Sequence, residues 1–417
     1  MNTKKKQKYP LLLLSVFSAL LLYGMRHPEA KADSVKENNR QSISSISDKP
    51  LAVFQIELLE LAFSTATAIP IDPHINDRSK AQEAVVAACL KLDQPHRALE
   101  YIEKIGNWRR GSAYADLAFY YAQRGSAESA HRCVQLADQV AEKAEDWRRD
   151  RIRVNIVKTF AWLGEMQKAE EYAASAEDSE TGKAVQIKAM ASDESAFDEQ
   201  MKALDDLIAS GKFDILRNAL EACARIFDRF YSDAKRRSLA EEKIKKSWDK
   251  LPIFIRLELL MELAGFALDH TDRPKALELV NEAQNIMGAY QWPLEHRLPM
   301  MAKLTGLRFH TGDEQKARAD ADALRALFDA EGKKIANIYR AGALRPLAEV
   351  YRSMGDAKTA LSVYKQAVEE GVENPNSRPR ALDLSAACCS MAIYAAEPDA
   401  NLWERIRQIH KGLGQPW

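Results

Sequence analysis

"NWRRGSAYADLAFYYAQRGSAESA", Asn107 to Ala130, is followed 39 residues later by "DWRRDRIRVNIVKTFAWLGEMQKA", Asp146 to Ala169. Few letters are shared, but those that are fall in register. Trp108 matches Trp147, Arg109–Arg110 matches Arg148–Arg149, Gly125 matches Gly164 and Ala130 matches Ala169. Counted from Gly125, Tyr114, Leu117, Ala118 and Tyr121 stand at −11, −8, −7 and −4, one stripe of a helix. Ala130, Val134 and Ala137 stand at +5, +9 and +12, a second stripe. "RGSA" lies between them. Its Gly takes the left-handed conformation that ends a helix, and Ser and Ala start the next. The unit is therefore two antiparallel helices joined by a short turn, with Ala at +5 and +12 to let them approach closely.

The template recurs about Gly164, Thr271, Gly312, Gly355 and Asp93. Two copies are imperfect: Arg308 and Gln82 stand where the others are apolar, and Phe309 is the expected substitute for Arg308. Self-similarity at a period of this size is the mark of a helical repeat array. The Gly355 unit, "LRPLAEVYRSMGDAKTALSVYKQAVEEGVENP", resembles a tetratricopeptide repeat through Leu347, Ala348, Tyr351, Gly355, Ala360, Tyr364, Ala367 and Pro375. The likeness covers roughly residues 78–410, weakest in the middle, and the spacing of 32 to 43 residues departs from that family's uniform period. The resemblance implies a right-handed superhelix whose first helices line a concave groove. Glu83 and Ala87 occupy the places of the Lys and Asn of that family's chaperone-tail clamp, so that activity is not implied.

An arginine stands 15 residues before every turn origin: Arg78, Arg110, Arg149, Arg256, Arg297 and Arg340, with Arg380 continuing the series. The gap from Arg149 to Arg256 holds two more units, near Lys183 and Arg217, with degenerate stripes. The expected fold is an all-α, right-handed solenoid of about nine antiparallel helix pairs. Each arginine falls where the preceding helix ends. There it is read as a structural ladder that donates to terminal carbonyls or forks onto a carboxylate such as Asp146 or Glu103. The competing reading is a ladder that binds repeated anionic groups.

The N-terminus is a separate object. A basic leader, the apolar run Leu11 to Met25, and Ala30 and Ala32 as small residues of a cleavage site read as a secretory signal peptide over residues 1–32. The alternative is an inner-membrane anchor formed by residues 11–25. The expected location is accordingly exported, periplasmic or secreted. Residues 33–50 read as a disordered linker, 51–77 as an N-terminal capping helix and loop, and 78–417 as the repeat array.

The chain has 417 residues, 46% hydrophobic and 29% charged, an ordinary composition with apolar surface for a core. Residues 1–32 hold six of the 60 basic and one of the 60 acidic residues, leaving a formal charge of −5. That balance gives no general attraction to nucleic acid or anionic lipid. The five cysteines sit among Ala and Leu at irregular spacing and read as small buried hydrophobes. The basic run Asp233 to Lys250 has interleaved Glu241 and Glu242 and reads as a solvated helix face.

No phosphate loop, dinucleotide fingerprint, zinc-protease or serine-hydrolase motif occurs, and the eight histidines form no i, i+4 pair. No enzyme activity, cofactor or metal is expected. The expected function is a scaffold that binds a protein or peptide, not nucleic acid, in its concave face. Membrane contact is expected only through an uncleaved N-terminal segment. Groove candidates, at −13, −10, −6, −3 and −2 from the turns, are Lys80, Lys91, Phe119, Gln123, Arg151, Lys158, Trp162, Phe309, Arg345 and Arg352. Two alternatives stand beside this: a self-associating subunit of a cell-envelope assembly, and an α/α-toroid enzyme acting on polysaccharide. Whether the chain ends meet separates a toroid from an open solenoid.

Overall fold

The computed structural model describes residues 46–177, 179–191 and 194–417. These contain nineteen α-helices, two single-turn 3-10 segments and no strand. α1 is Val53–Ala68. Nine first helices follow: α2 Ile75–Lys91, α4 Arg109–Gln123, α6 Asp146–Trp162, α8 Ser179–Met190, α10 Phe213–Arg229, α12 Ile253–Asp269, α14 Leu294–His310, α16 Asn337–Ser353 and α18 Ser377–Ile393. The second helices are α3 Pro95–Ile102, α5 Ala127–Ala141, α7 Met166–Ala174, α9 Phe197–Ala209, α11 Ala234–Ser247, α13 Arg273–Gly288, α15 Glu314–Glu331, α17 Ala357–Val372 and α19 Ala400–Lys411. The array is all-helical and has nine helix pairs. The signal-peptide reading of residues 1–32 lies outside the described residues. Of the linker, residues 46–50 are described, and they are held: Lys49 donates its N–H to Asp93 and Asp48 accepts from the N–H of His96.

Each pair forms for the reason its sequence gives. The backbone at Asp93, Gly125, Gly164, Thr271, Gly312, Gly355 and Ala395 has positive φ, so the turn origins are left-handed caps. In six of them the next residue donates back to the carbonyl five positions earlier, as Ser126 does to Tyr121 at 3.0 Å and Asp356 to Tyr351 at 2.9 Å. The stripes on either side are dry: Leu117, Ala118, Tyr121, Ala130 and Ala137 have no exposed surface at all. At the two imperfect copies the polar residue itself fills the slot. Arg308, 3% exposed, donates from its two terminal nitrogens to Asp313, Asn281 and Gln284 at 2.6–2.7 Å, while its Nε lies 3.6 Å from Asp320 without a hydrogen bond, so the buried charge is paired and Phe309 is not the substitute. Gln82 donates to Thr67 at 3.0 Å.

Consecutive first helices pack side by side, and the last of them, α18, packs on the first, α2. The ends meet. α1 lies between α18 and α2 and packs more extensively on α18 than α19 does, so the N-terminal helix supplies the second-helix partner of the ninth unit. Leu58, Leu59, Ala62 and Ala66 of α1 are fully buried. Gln55 donates to the Ala392 carbonyl at 2.8 Å and Ser385 to the Ala62 carbonyl at 3.1 Å. Arg378 pairs with Asp77 at 3.0 Å, and Leu413 and Trp417 of the C-terminal tail pack with Ala66, Ile69, Ala81 and Ala381 over the seam. The array is therefore a closed one.

Candidate functional site

In a closed array the first helices form the inner wall. Charges on non-neighbouring first helices act on one another across this wall. Lys158 on α6 feels Glu221 on α10, and Glu262 on α12 feels Lys188 on α8. On α4 and α6 the inward residues form straight stripes in register. Trp108, the N-cap of α4, leads into Ser112, Asp116, Phe119 and Gln123 along α4; Trp147, Arg151, Asn155, Lys158 and Trp162 run along α6. Every step is three or four residues, one turn of helix. The two stripes touch along their length. Trp108 meets Trp147 edge-on at 5.1 Å, Asn155 donates to Ser112 at 3.0 Å, and Phe119 meets Trp162 edge-on at 5.6 Å.

Between those contacts stand Asp116 and Lys158. Asp116 is open to solvent, yet the wall strips its carboxyl of water and pushes its pKa up to about 6, against the pull of Lys158. Burial likewise lowers the pKa of Lys158, which Asp116 opposes. Both belong to a concave wall: solvent reaches them, but protein displaces most of their hydration. Further round, Lys188 and Arg217 clamp Glu221 at 2.6 and 3.0 Å and hold its carboxyl low although burial pushes the other way. Glu262 is pushed up to about 7 by burial. Lys303 on α14 is held low by burial and faces Glu258 and Glu349. The wall thus carries sectors of alternating sign.

The structure brings Phe119, Arg151, Lys158 and Trp162 together on neighbouring helices, with Gln123 at the end of the α4 stripe. Arg151 also lies over the Trp108 ring at 5.8 Å. The others are spread out. Lys91 lies over Tyr394 at 5.6 Å across the seam. Arg345 faces Glu349 of its own helix at 3.8 Å. Arg352 donates to the carbonyl of Ala395, tying one turn to the next. Phe309 meets His310 on the rim where first helices end. Lys80 is half-buried near the start of α2. The −9 position is not among the ten groove candidates. That place holds Asp116, Asn155, Glu262 and Lys303, and one-turn spacing from −13 to −6 was the signal that could have found it.

The arginines divide. Arg78 donates to the carbonyls of Thr67 and Ile69, Arg256 to Asp249 and Leu251, and Arg340 to Lys333 and Ile335. These carbonyls end the preceding segments, as helix termini require. Arg149 instead bonds Asp150 at 3.3 Å, and Arg380 bonds Ser377 at 2.8 Å. Arg110 and Arg297 make no such bond among the described residues. All five cysteines are free and buried. The basic face of α11 is laced with ion pairs, Lys245 to Glu282 at 2.6 Å and Lys243 to Asp205. Among the described residues no group of His, Cys, Asp and Glu could hold a metal ion, and no helix is long and apolar enough to cross a membrane.

Fold and wall together define a closed helical-repeat protein. No family model matches the chain, and no curated protein matches it. It is similar to a solved structure described as "Circular tandem repeat protein with novel repeat topology and enhanced subunit contact surfaces", at 14% identity over 86% of this chain and 94% of that one, with a TM-score of 0.21. At that score the likeness bears no weight; the closure rests on the chain's own contacts.

Proposed function

We propose that the protein is an exported, tetratricopeptide-like scaffold that binds a protein or peptide on the inner wall of its ring. One observation carries this reading: Phe119, Arg151, Lys158 and Trp162, from two units, share one solvent-reached surface, with aromatic anchors and cations side by side. The turns and connections are short, so no rim of long loops stands ready to build a catalytic centre. Export is supported by the pattern of residues 1–32. A photo-crosslinking side chain placed at position 119, in a chain spanning residues 33–417, should trap a discrete partner from envelope extract. One placed at Lys168, exposed on α7, should not. Equal adducts from both positions, or none from either, would refute the reading.

Ring closure favours a second reading, the α/α toroid acting on polysaccharide. Glu262, whose carboxyl burial pushes up to about 7, is a candidate general acid on its inner wall. Release of reducing ends from a polysaccharide panel, abolished by Glu262→Gln, would establish it; no release retires it.

A further inference from the structure

We propose that the inward stripe of α6 is a docking track for an extended acidic peptide segment bracketed by apolar residues, an inference that rests on the scaffold reading. Trp147 and Trp162 stand at its two ends, with Arg151, Asn155 and Lys158 between. Fifteen helical residues rise about 22 Å. A peptide in extended conformation covers that span with about six or seven residues.

The charge of the track is unspent. Nearby Arg109 is taken by Glu83 at 2.5 Å and Lys188 by Glu221 at 2.6 Å. Arg148, Arg151 and Lys158 close no ion pair among the described residues. Asp116 is the one carboxyl that pulls on Lys158 from the adjoining stripe. Glu221 on α10 also pulls on Lys158 but is already clamped by Lys188 and Arg217, so the two cations face one carboxyl not otherwise paired, and the wall disfavours its ionisation. An occupant that brings carboxylates completes the pairing; one that brings ammonium groups is repelled.

The aromatic ends decide between anionic polymers. The Arg148 guanidinium lies over the Trp147 ring at 5.1 Å, and Trp162 is engaged by the Phe119 ring set at right angles to it. These rings are edges and corners of apolar pockets. They are not paired flat platforms on which successive bases or sugars stack. Trp147 is 52% exposed and Trp162 half-buried, so each still offers surface to an apolar side chain. Nothing in the track selects a chain terminus, so an internal segment fits as well as an end.

The test is fluorescence anisotropy with a labelled, acetylated and amidated peptide carrying five glutamates between two leucines. Wild type should bind it, and added salt should weaken binding. Arg151→Glu should weaken it by about tenfold or more. Lys158→Met should do likewise, and it removes the cation without setting a carboxylate beside Asp116. Arg149→Ala, outside the stripe, should bind as wild type. The proposal is overturned if the lysine version of the peptide or a twelve-nucleotide thymidine strand binds as tightly. It is equally overturned if both track variants keep their melting profiles and still bind as wild type. A random-peptide display on the same protein separates this failure from that of the scaffold. Non-acidic peptides lost on Phe119→Ala would overturn the acidic track alone; no enriched peptide would overturn both.

Discussion

Gln55→Glu tests ring closure with a single atom. The Gln55 amide does two jobs. Its oxygen accepts the Ala52 N–H at 3.2 Å and starts α1, while its nitrogen donates to the Ala392 carbonyl at 2.8 Å at the end of α18. Glutamate keeps the acceptor and so the helix start, but turns the donor into a lone pair facing a carbonyl. The site is 9% exposed, so water offers little compensation. An unpaired buried acceptor costs about 1–3 kcal/mol, more if the new carboxylate is ionised. Protonation restores a donor, so the variant carboxyl has a folded pKa raised above its unfolded value of about 4.3. The folded state then holds the extra proton, and the variant loses stability as pH rises through and beyond that value. Near pH 4 it should approach wild type. Global melting is a poor assay for an array that opens piecewise, so hydrogen exchange with peptide resolution is the measurement. At pH 8, protection should fall over residues 46–68 and, 337 residues away, over 377–396 together. Loss confined to the N-terminal segment would refute closure.

Other substitutions probe the packing, the arginines and a buried acid. Gly182→Ala would set a Cβ 2.8 Å from the Ala173 Cα, a backbone atom that cannot yield; denaturant melts should show a net loss of about 1–3 kcal/mol despite Ala's better helix propensity of about 1 kcal/mol. Arg340→Ala, which removes bonds to Ile335 at 2.8 Å and Glu373 at 2.6 Å, should cost about 1–3 kcal/mol and be only partly rescued by Lys. Arg297→Ala, exposed and without such bonds, should stay within about 0.5 kcal/mol, and equal losses in the two would sink the distinction. Burial pushes Asp383 up to about 7, with Arg345 opposing, and one of its oxygens has no partner. The folded state therefore holds a proton that the unfolded chain has released, and stability falls as pH rises from about 4 to about 7. Asp383→Asn should be the more stable protein at pH 8 by about 1–3 kcal/mol, with the gap closing by pH 4; a gap constant in pH would refute this.

The repeat was legible because its signals are local. A residue that must take positive φ, and an alanine that must let a helix pass, leave marks at fixed spacing. The six recognised origins, Asp93, Gly125, Gly164, Thr271, Gly312 and Gly355, all prove left-handed, and Ala395 follows at the place the arginine series gives. The two units between α8 and α11 were degenerate for a physical reason. The turn after α10 has no left-handed residue; it is held by Asp233, whose side chain accepts from Lys235 and Arg236. Closure was not legible, because it depends on the sum of small rotations between nine units. No single residue announces that sum. Leu58 and Phe63 announce only that α1 is buried, not that its main partner lies some 320 residues further on. The inner wall was partly legible: helical period gives −13, −6 and −2, but the −10 and −3 places point off the straight stripe, and −9, which lies on it, carries no mark in the repeat.

Closure changes what the surface can do. An open array leaves two apolar end faces, which need polar caps or a neighbour. Here the ends cover each other. α19 packs on α18 and α17 and is tied to α17 and α1 by side chains, with Arg405 on Glu369, Lys365 on Asp399, Arg407 on Glu57 and His410 on Thr65. Its Leu402, Ile406 and Ile409 are buried there. Among the described residues, then, no open end face remains for the structural-subunit alternative, which would have to use a rim. The rim where first helices begin does carry Ile71, Trp147, Phe213, Tyr290 and Ile338, each 45–60% exposed. They belong to different units and are separated by charged residues, so they offer isolated anchors rather than one apolar patch. Trp147 is the exception in kind, since it alone continues inward as a stripe of cations ending in a second tryptophan. The same Trp–Arg–Arg that marks the repeat in the sequence thus stands at the rim end of the α6 stripe.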